Sequence, residues 1–472
     1  MTMMTRPGRS RNADLIVLGA EVALLAAAVG VGALLNHRGV RLYADAAPLY
    51  ATWQPHLGFG TPVALLVGAL FVWRGTRWGT DTRWPRLLVV GYLASVLWTL
   101  SLALVDGWSA GLTERLTVQA EYLHEVPRVA DVGMMLSGFA DRILDFQPNS
   151  WSTHTAAHPP GALLFFVGLD RIGLGGGAAA GLACVLIGAT VSVSVPVTLR
   201  ALGAEDAARA VWPFLVLFPG AVWVGVSADG IFAAVVAAGL ALLAVGGRPG
   251  AVLGGLLLGF ALYLSYGFVL VGLLALTVVL LRARDRLAVL LVAATAGAAV
   301  VAAFTLSGFW WLDGYHLVTQ RYYQGWAADR PYGYWIWANL AALLLSAGPV
   351  AGPALRRAVA AMSIRRAVAA MSIRRTVSAM SIRAPHPPRA TALRQWITTA
   401  GPTVWLPVAA AVAVLAADLS ALSKAEVERI WLPFAVWLLV ATAHLPRAHR
   451  RWWLAGQAAT ALAVNHLLWT VS

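Results

Sequence analysis

The chain has 472 residues, 59% of them hydrophobic and only 12% charged, and a soluble fold of that composition would leave apolar surface uncovered. A net charge of +14 would suggest nucleic acid in a soluble protein, but basic residues collect in the cytoplasmic loops of membrane proteins whatever their function, so no nucleic-acid partner is expected. The single cysteine, Cys184, lies in an apolar run and excludes both an intrachain disulfide and a thiolate metal site.

The predicted architecture is all-α, a polytopic bundle of transmembrane helices. Apolar runs long enough to cross a bilayer, or nearly so, lie at 15–35, 61–75, 87–105, 177–199, 210–226, 229–245, 250–266, 267–282, 287–306, 335–353, 402–417, 430–445 and 453–470, about thirteen spans. The first follows Arg6, Arg9 and Arg11 as a signal peptide would, but at about 20 residues it can span, and it reads as a retained signal anchor. With the N-terminus inside, the cytoplasmic pieces hold 25 of the 35 Lys and Arg, while 15 of the 21 acids fall outside. That asymmetry orients a multi-pass protein of the cell membrane with a cytoplasmic N-terminus.

The orientation requires residues 159–174 not to cross. As a helix they would span ~24 Å against a ~30 Å hydrocarbon core, and they end in Asp170-Arg171, so a juxtamembrane helix on the outer face is expected. The chain then divides into a two-span N-terminal extension (1–86), a membrane core (87–353) with an outer loop at 106–158, a basic cytoplasmic linker (354–401) and a three-span C-terminal segment (402–472). The linker repeats RRAVAAMSI at 356–364 and 365–373 and RRTVSAMSI at 374–382. A nine-residue period puts successive arginine pairs on opposite helix faces, so no amphipathic stripe results. It reads as a linker expanded by duplication, with some pull toward anionic lipid head groups, and the prolines of PHPP at 385–388 break any helix.

The outer loop carries most of the candidate chemistry. Glu121 and Glu125 lie four residues apart, and Asp131 opens an amphipathic stretch in which Val132, Met135, Leu136, Phe139, Ile143 and Leu144 share one face. That stretch reads as an interfacial helix placing carboxylates at the membrane surface. The loop closes on His154 and on His158-Pro159-Pro160-Gly161, where the prolines impose an extended entry to a helix. The same prolines argue against a regular helix through His154 and His158, and so against their joint use as metal ligands. Residues 308–334 interleave eight Trp and Tyr rings with Asp313, His316, Arg321, Asp329 and Arg330, a pattern that serves an interfacial belt or a sugar- and phosphate-binding surface. Lys424 and Arg429 flank an acidic run at the outer start of a late span, and Asp229 sits at the outer end of another.

Outer-loop carboxylates, an interfacial helix and His158-Pro159-Pro160-Gly161 leading into a short surface helix together resemble the first outer loop of the GT-C superfamily, the integral-membrane glycosyltransferases that use polyprenyl-phosphate sugars. The resemblance runs at fold level from about residue 87 to the end. In that superfamily the loop opens with an acidic general base; the matching position here is Asp106, Glu121 or Glu125, with no Asp-Glu pair, and the signature follows the third span rather than the first. The resemblance implies Glu121, Glu125 or Asp131 as catalytic base, Arg321, Arg330 and Arg429 around the lipid phosphate, and His154, His158, Asp229, His316 and Lys424 as further substrate-binding residues. The implied partners are a polyprenyl-phosphate-linked sugar, a cell-envelope glycan, lipid or protein acceptor, and membrane lipids. No cofactor is required; a divalent cation is an optional companion of the phosphate. A transporter would place ionisable groups at mid-membrane, where only Glu21 lies. A non-catalytic membrane partner would keep the fold and lose the essential carboxylate.

Overall fold

A computed structural model describes residues 7–225, 227–362 and 400–470. The second and third repeat copies, PHPP and the rest of the linker to residue 399 lie outside the described residues. Among the described residues the regular structure is all helical apart from two three-residue strands, Ala51–Trp53 and Leu468–Thr470, which pair antiparallel with Ala51 opposite Thr470.

Among the described residues, five helices are long and apolar enough to cross a membrane: Arg11–His37, Trp84–Ala103, Gly177–Ala201, Arg286–Leu306 and Pro402–Leu419. A sixth is counted if Tyr332–Ala347 and Ala351–Met362, bent by 94° at the break between them, form one span. Of the other expected runs, 61–75 and all but the end of 453–470 lie in unbroken helices of 21 and 18 residues, Thr61–Asp81 and Arg450–Leu467, and the rest are shorter or interrupted. Asp229–Val245 has 17 residues, Glu205–Val216 contains Pro213 and gives way to a turn before Ala221–Val224, and Leu432–Leu438 tightens into a 3-10 turn at Leu439–His444. Arg11–His37 and Arg286–Leu306 are only 11% buried while strongly apolar, the signature of surfaces made for a hydrocarbon environment.

Small residues let the interior helices approach closely. Gly255 and Gly259, one turn apart, face Ala293 and Gly297 of the next helix, and a Cβ at Gly255 would lie 2.3 Å from the Ala293 carbonyl oxygen. This close crossing is available only where side chains are absent.

The helix Pro7–His37 runs antiparallel to Tyr332–Ala347. Tyr334 Oη donates to Ala28 O at 2.9 Å, and Gly352 N donates to Glu21 Oε1 at 2.8 Å. Asp14 near one end pairs with Arg357 at 2.8 Å and with Arg356, whereas Arg330 Nε bonds Leu42 O at 3.1 Å just past the other end. The rise from Asp14 to His37 is ~35 Å, about a bilayer's thickness. The start of the basic repeat and the region around Arg330 therefore occupy opposite ends of the molecule.

Candidate functional site

The outer loop is built from short turns rather than long helices. The amphipathic stretch that opens at Asp131 forms a helix only at Val132–Ser137 and a 3-10 turn at Ala140–Arg142, and buried anchors hold the turns: Leu116, Tyr122, Phe139, Ile143 and Trp151 are all at most 2% exposed. Trp151 Nε1 donates to Phe139 O at 2.9 Å, closing the loop on itself. His154 falls within a one-turn helix, Thr153–Ala157, which ends before His158, so no regular helix carries both histidines. The helix stops at His158, which is extended (φ −120°, ψ 153°), as is Pro159 (φ −62°, ψ 162°). The proline constraint thus acts on the residue before Pro159 and no further. The helix Pro160–Arg171 then packs inward through Leu163, Phe166 and Val167.

This geometry assembles a chain of charged groups from four distant segments. His154 Nδ1 lies 2.6 Å from Glu121 Oε1, and Arg429 Nη2 lies 3.1 Å from His154 Nε2. Arginine can only donate, so Nε2 accepts and the ring proton sits on Nδ1, pointing at Glu121. Arg429 also donates to Asp229 Oδ2 at 3.0 Å and to Glu426 Oε2 at 2.7 Å. Glu426 is shared with Arg330 at 3.4 Å. Beside this chain, His158 Nδ1 lies 2.6 Å from Tyr122 Oη and 3.0 Å from His154 O. Glu121 Oε2 makes no hydrogen bond among the described residues.

The electrostatics follow from burial and opposite charge. Burial alone would raise Glu121, but His154 and Arg429 outweigh it and hold its carboxyl below the usual range. Burial opposes ionisation of Glu426 too, yet Arg429 and Arg330 bring it down to about 2. For Arg429, burial is overcome by Glu426, Asp229 and Glu121, which raise it further. Burial pushes the half-buried His158 down to about 4, so its imidazole is neutral at pH 7. Glu428, fully buried with neither carboxylate oxygen hydrogen-bonded, is pushed by burial up to about 7.

The remaining candidates have other surroundings. Glu125 is 1% exposed and accepts from Ser152 N at 2.9 Å, with Arg128 and Arg142 at 3.4 and 3.6 Å. Asp131 is exposed and caps the helix Val132–Ser137 by accepting from Met134 N at 2.7 Å. Arg321 pairs with Asp145 at 2.6 Å. Arg330 is held by the carbonyls of Leu42, Tyr43 and Lys424 as well as Glu426. Lys424 Nζ donates to Ala327 O at 2.8 Å over the Tyr323 ring. His316 is exposed beside Tyr315. Asp106 is occupied by His56 at 2.7 Å and Arg115 at 2.9 Å, a staple beside the two-stranded sheet.

Three residues in or beside the chain of charges escaped the sequence reading. Glu426 and Glu428 looked like solvated helix-start acids, and Tyr122 carried no polar pattern. The one available signal was the sequence Lys424-Ala-Glu-Val-Glu-Arg429 directly before a strongly apolar run. No group of three or more His, Cys, Asp or Glu among the described residues is arranged to hold a metal ion. Both His154 nitrogens already face protein partners. No family model, curated protein or solved structure matches the chain.

Proposed function

We propose that this chain is an integral-membrane glycosyltransferase of the GT-C type. It moves a sugar from a polyprenyl-phosphate donor to an acceptor hydroxyl on the outer face of the cell membrane, with about thirteen crossings or partial crossings and the N-terminus in the cytoplasm. The observation that carries this reading is Glu121: a buried, ionised carboxylate with one oxygen fixed by His154 and the other free, next to the His158-Pro159-Pro160 segment.

In the proposed reaction the acceptor O–H gives its proton to Glu121 Oε2 while the acceptor oxygen forms a bond to the anomeric carbon. The bond from that carbon to the phosphate oxygen breaks, and both electrons leave on the prenyl phosphate. A carboxylate held below its ordinary range is ionised at pH 7 and so open to the proton, at the cost of being a weak base. Arg429 works through His154: it fixes the tautomer that presents Nδ1–H to Glu121, and with Asp229 and Glu426 it sets the ring's position. These are positioning roles, as is that of His158 against Tyr122.

The test is transfer from labelled prenyl-phosphate mannose, arabinose and glucose by the purified full chain in lipid vesicles. Transfer from at least one donor is expected. If the wild type neither binds nor uses any of them, the reading gives way to that of a non-catalytic membrane partner.

A further inference from the structure

The three arginines suggested for the lipid phosphate are already bonded to carboxylates or carbonyls, whereas two others in the outer loop are not fully used. Arg128 and Arg142 approach the same oxygen, Glu125 Oε2, at 3.4 and 3.6 Å. The second oxygen of Glu125 is taken by Ser152 N at 2.9 Å. One buried carboxylate thus balances two guanidinium groups, and a unit of positive charge is left over. Arg142 is rigidly presented: its Nε donates to Asn149 O at 2.7 Å and its guanidinium stacks on the buried Trp151 ring at 3.3 Å. Arg128 is the more open of the two, with 52% of its side chain exposed. Between them opens a cleft of about 380 Å³ lined by Arg128, Arg142, Pro148 and Asn149.

We propose that this cleft binds a phosphoryl oxyanion, a phosphate mono- or diester, between Arg128 and Arg142. The uncompensated charge supplies the attraction, and two guanidinium forks suit the several acceptor oxygens of a phosphoryl group. Glu125 lies behind both arginines, away from the opening, and serves to hold them rather than to meet the ligand. Ser152 links the cleft to the proposed base, since its N–H bonds Glu125 and its Oγ lies 3.4 Å from Glu121 O. The use of the bound anion, as donor or acceptor phosphate, rests on the transferase reading; the binding itself does not.

The experiment measures modification of individual arginines by phenylglyoxal in the full chain, read by mass spectrometry, in phosphate against chloride at equal ionic strength. Inorganic phosphate should protect Arg128 and Arg142 and leave Arg41 unprotected, a surface arginine 69% exposed and paired with Asp329. Arg128→Gln, at a half-exposed position whose loss leaves the loop anchors intact, should weaken phosphate protection of Arg142 about tenfold or more. Arg142→Lys, which keeps the charge and loses the fork, should weaken protection of Arg128. Vesicles of phosphatidylglycerol and of phosphatidylcholine separate the sources: protection by the first at headgroup concentrations where free phosphate is ineffective identifies a lipid phosphodiester. Equal modification of Arg128 and Arg142 in phosphate, in both vesicles and in chloride overturns the proposal. Protection that persists in a chain without transfer activity would retain the anion site and remove the transferase reading instead.

Discussion

Arg429 is the residue on which the outer cluster turns, because two carboxylates, Asp229 and Glu426, and one histidine, His154, converge on its guanidinium. Its pair with Asp229 leaves both side chains only 5–6% exposed. Removing Asp229 leaves Arg429 with Glu426 as its remaining ion-pair partner, so Asp229→Asn is expected to lower stability by ~1.5–3 kcal/mol, the worth of one charge-assisted hydrogen bond. Denaturation of the variant in detergent, followed by loss of the folded fraction, checks it; a change under ~1 kcal/mol would mean water already reaches the pair. Glu428 gives a prediction of opposite character. Its carboxyl is pushed up to about 7 from the ordinary 4.5, with burial as the main cause. A raised folded-state value means its contribution is present below the unfolded value and is lost as pH rises through about 7. Thermal melting of wild type and Glu428→Gln at pH 6 and pH 8.5 should show the variant gaining on the wild type at the higher pH. No difference between the two pH values would place water or a partner at the carboxylate.

At the scale of elements, the short helix Pro160–Arg171 positions the site by seating His158 and, through it, Tyr122. It lies so close to the segment after Ala261 that a Cβ at Gly161 would stand 2.5 Å from Tyr263 O. Gly161→Ala is therefore expected to cost ~1–3 kcal/mol and to impair the site as the helix shifts outward. By contrast, Asp131→Ala removes an N-cap at the exposed helix Val132–Ser137 and should cost about 1 kcal/mol with transfer retained. If that variant instead abolishes transfer while remaining folded, the base has been assigned to the wrong carboxylate. The prolines made the entry to Pro160–Arg171 legible in the sequence, because a proline ring acts on its own and the preceding residue. The inward face of Met135, Leu136, Phe139 and Ile143 was legible from its spacing and is buried. The partners of Glu121 were not, since they come from turns whose geometry is set by tertiary anchors such as Trp151 rather than by local periodicity.

Across the whole molecule, apolar runs fixed the helical class from composition alone, but hydropathy could not distinguish a full crossing from a broken one. The runs at 210–226 and 430–445 read as spans; the first breaks between Val216 and Ala221, and the second tightens into the Leu439–His444 turn. The convergence of Glu121, His154, Asp229 and Arg429 required long-range packing; placing all four at one end of their spans was as far as charge patterning reached. The proposed sidedness has its own check. Ser137→Cys should react with an impermeant maleimide on intact cells, and Ser372→Cys, in the linker outside the described residues, only after permeabilisation. Labelling of Ser372→Cys from outside would invert the orientation and move the cluster to the cytoplasmic face.

The most direct test of the central claim is the single-turnover rate of sugar transfer by Glu121→Gln beside its donor affinity, in vesicles and against the wild type. The substitution keeps the size and removes the proton acceptor. Transfer should fall by ~10²–10⁴-fold, the usual contribution of a general base, with donor affinity largely unchanged. Transfer by Glu121→Gln at the wild-type rate would contradict it.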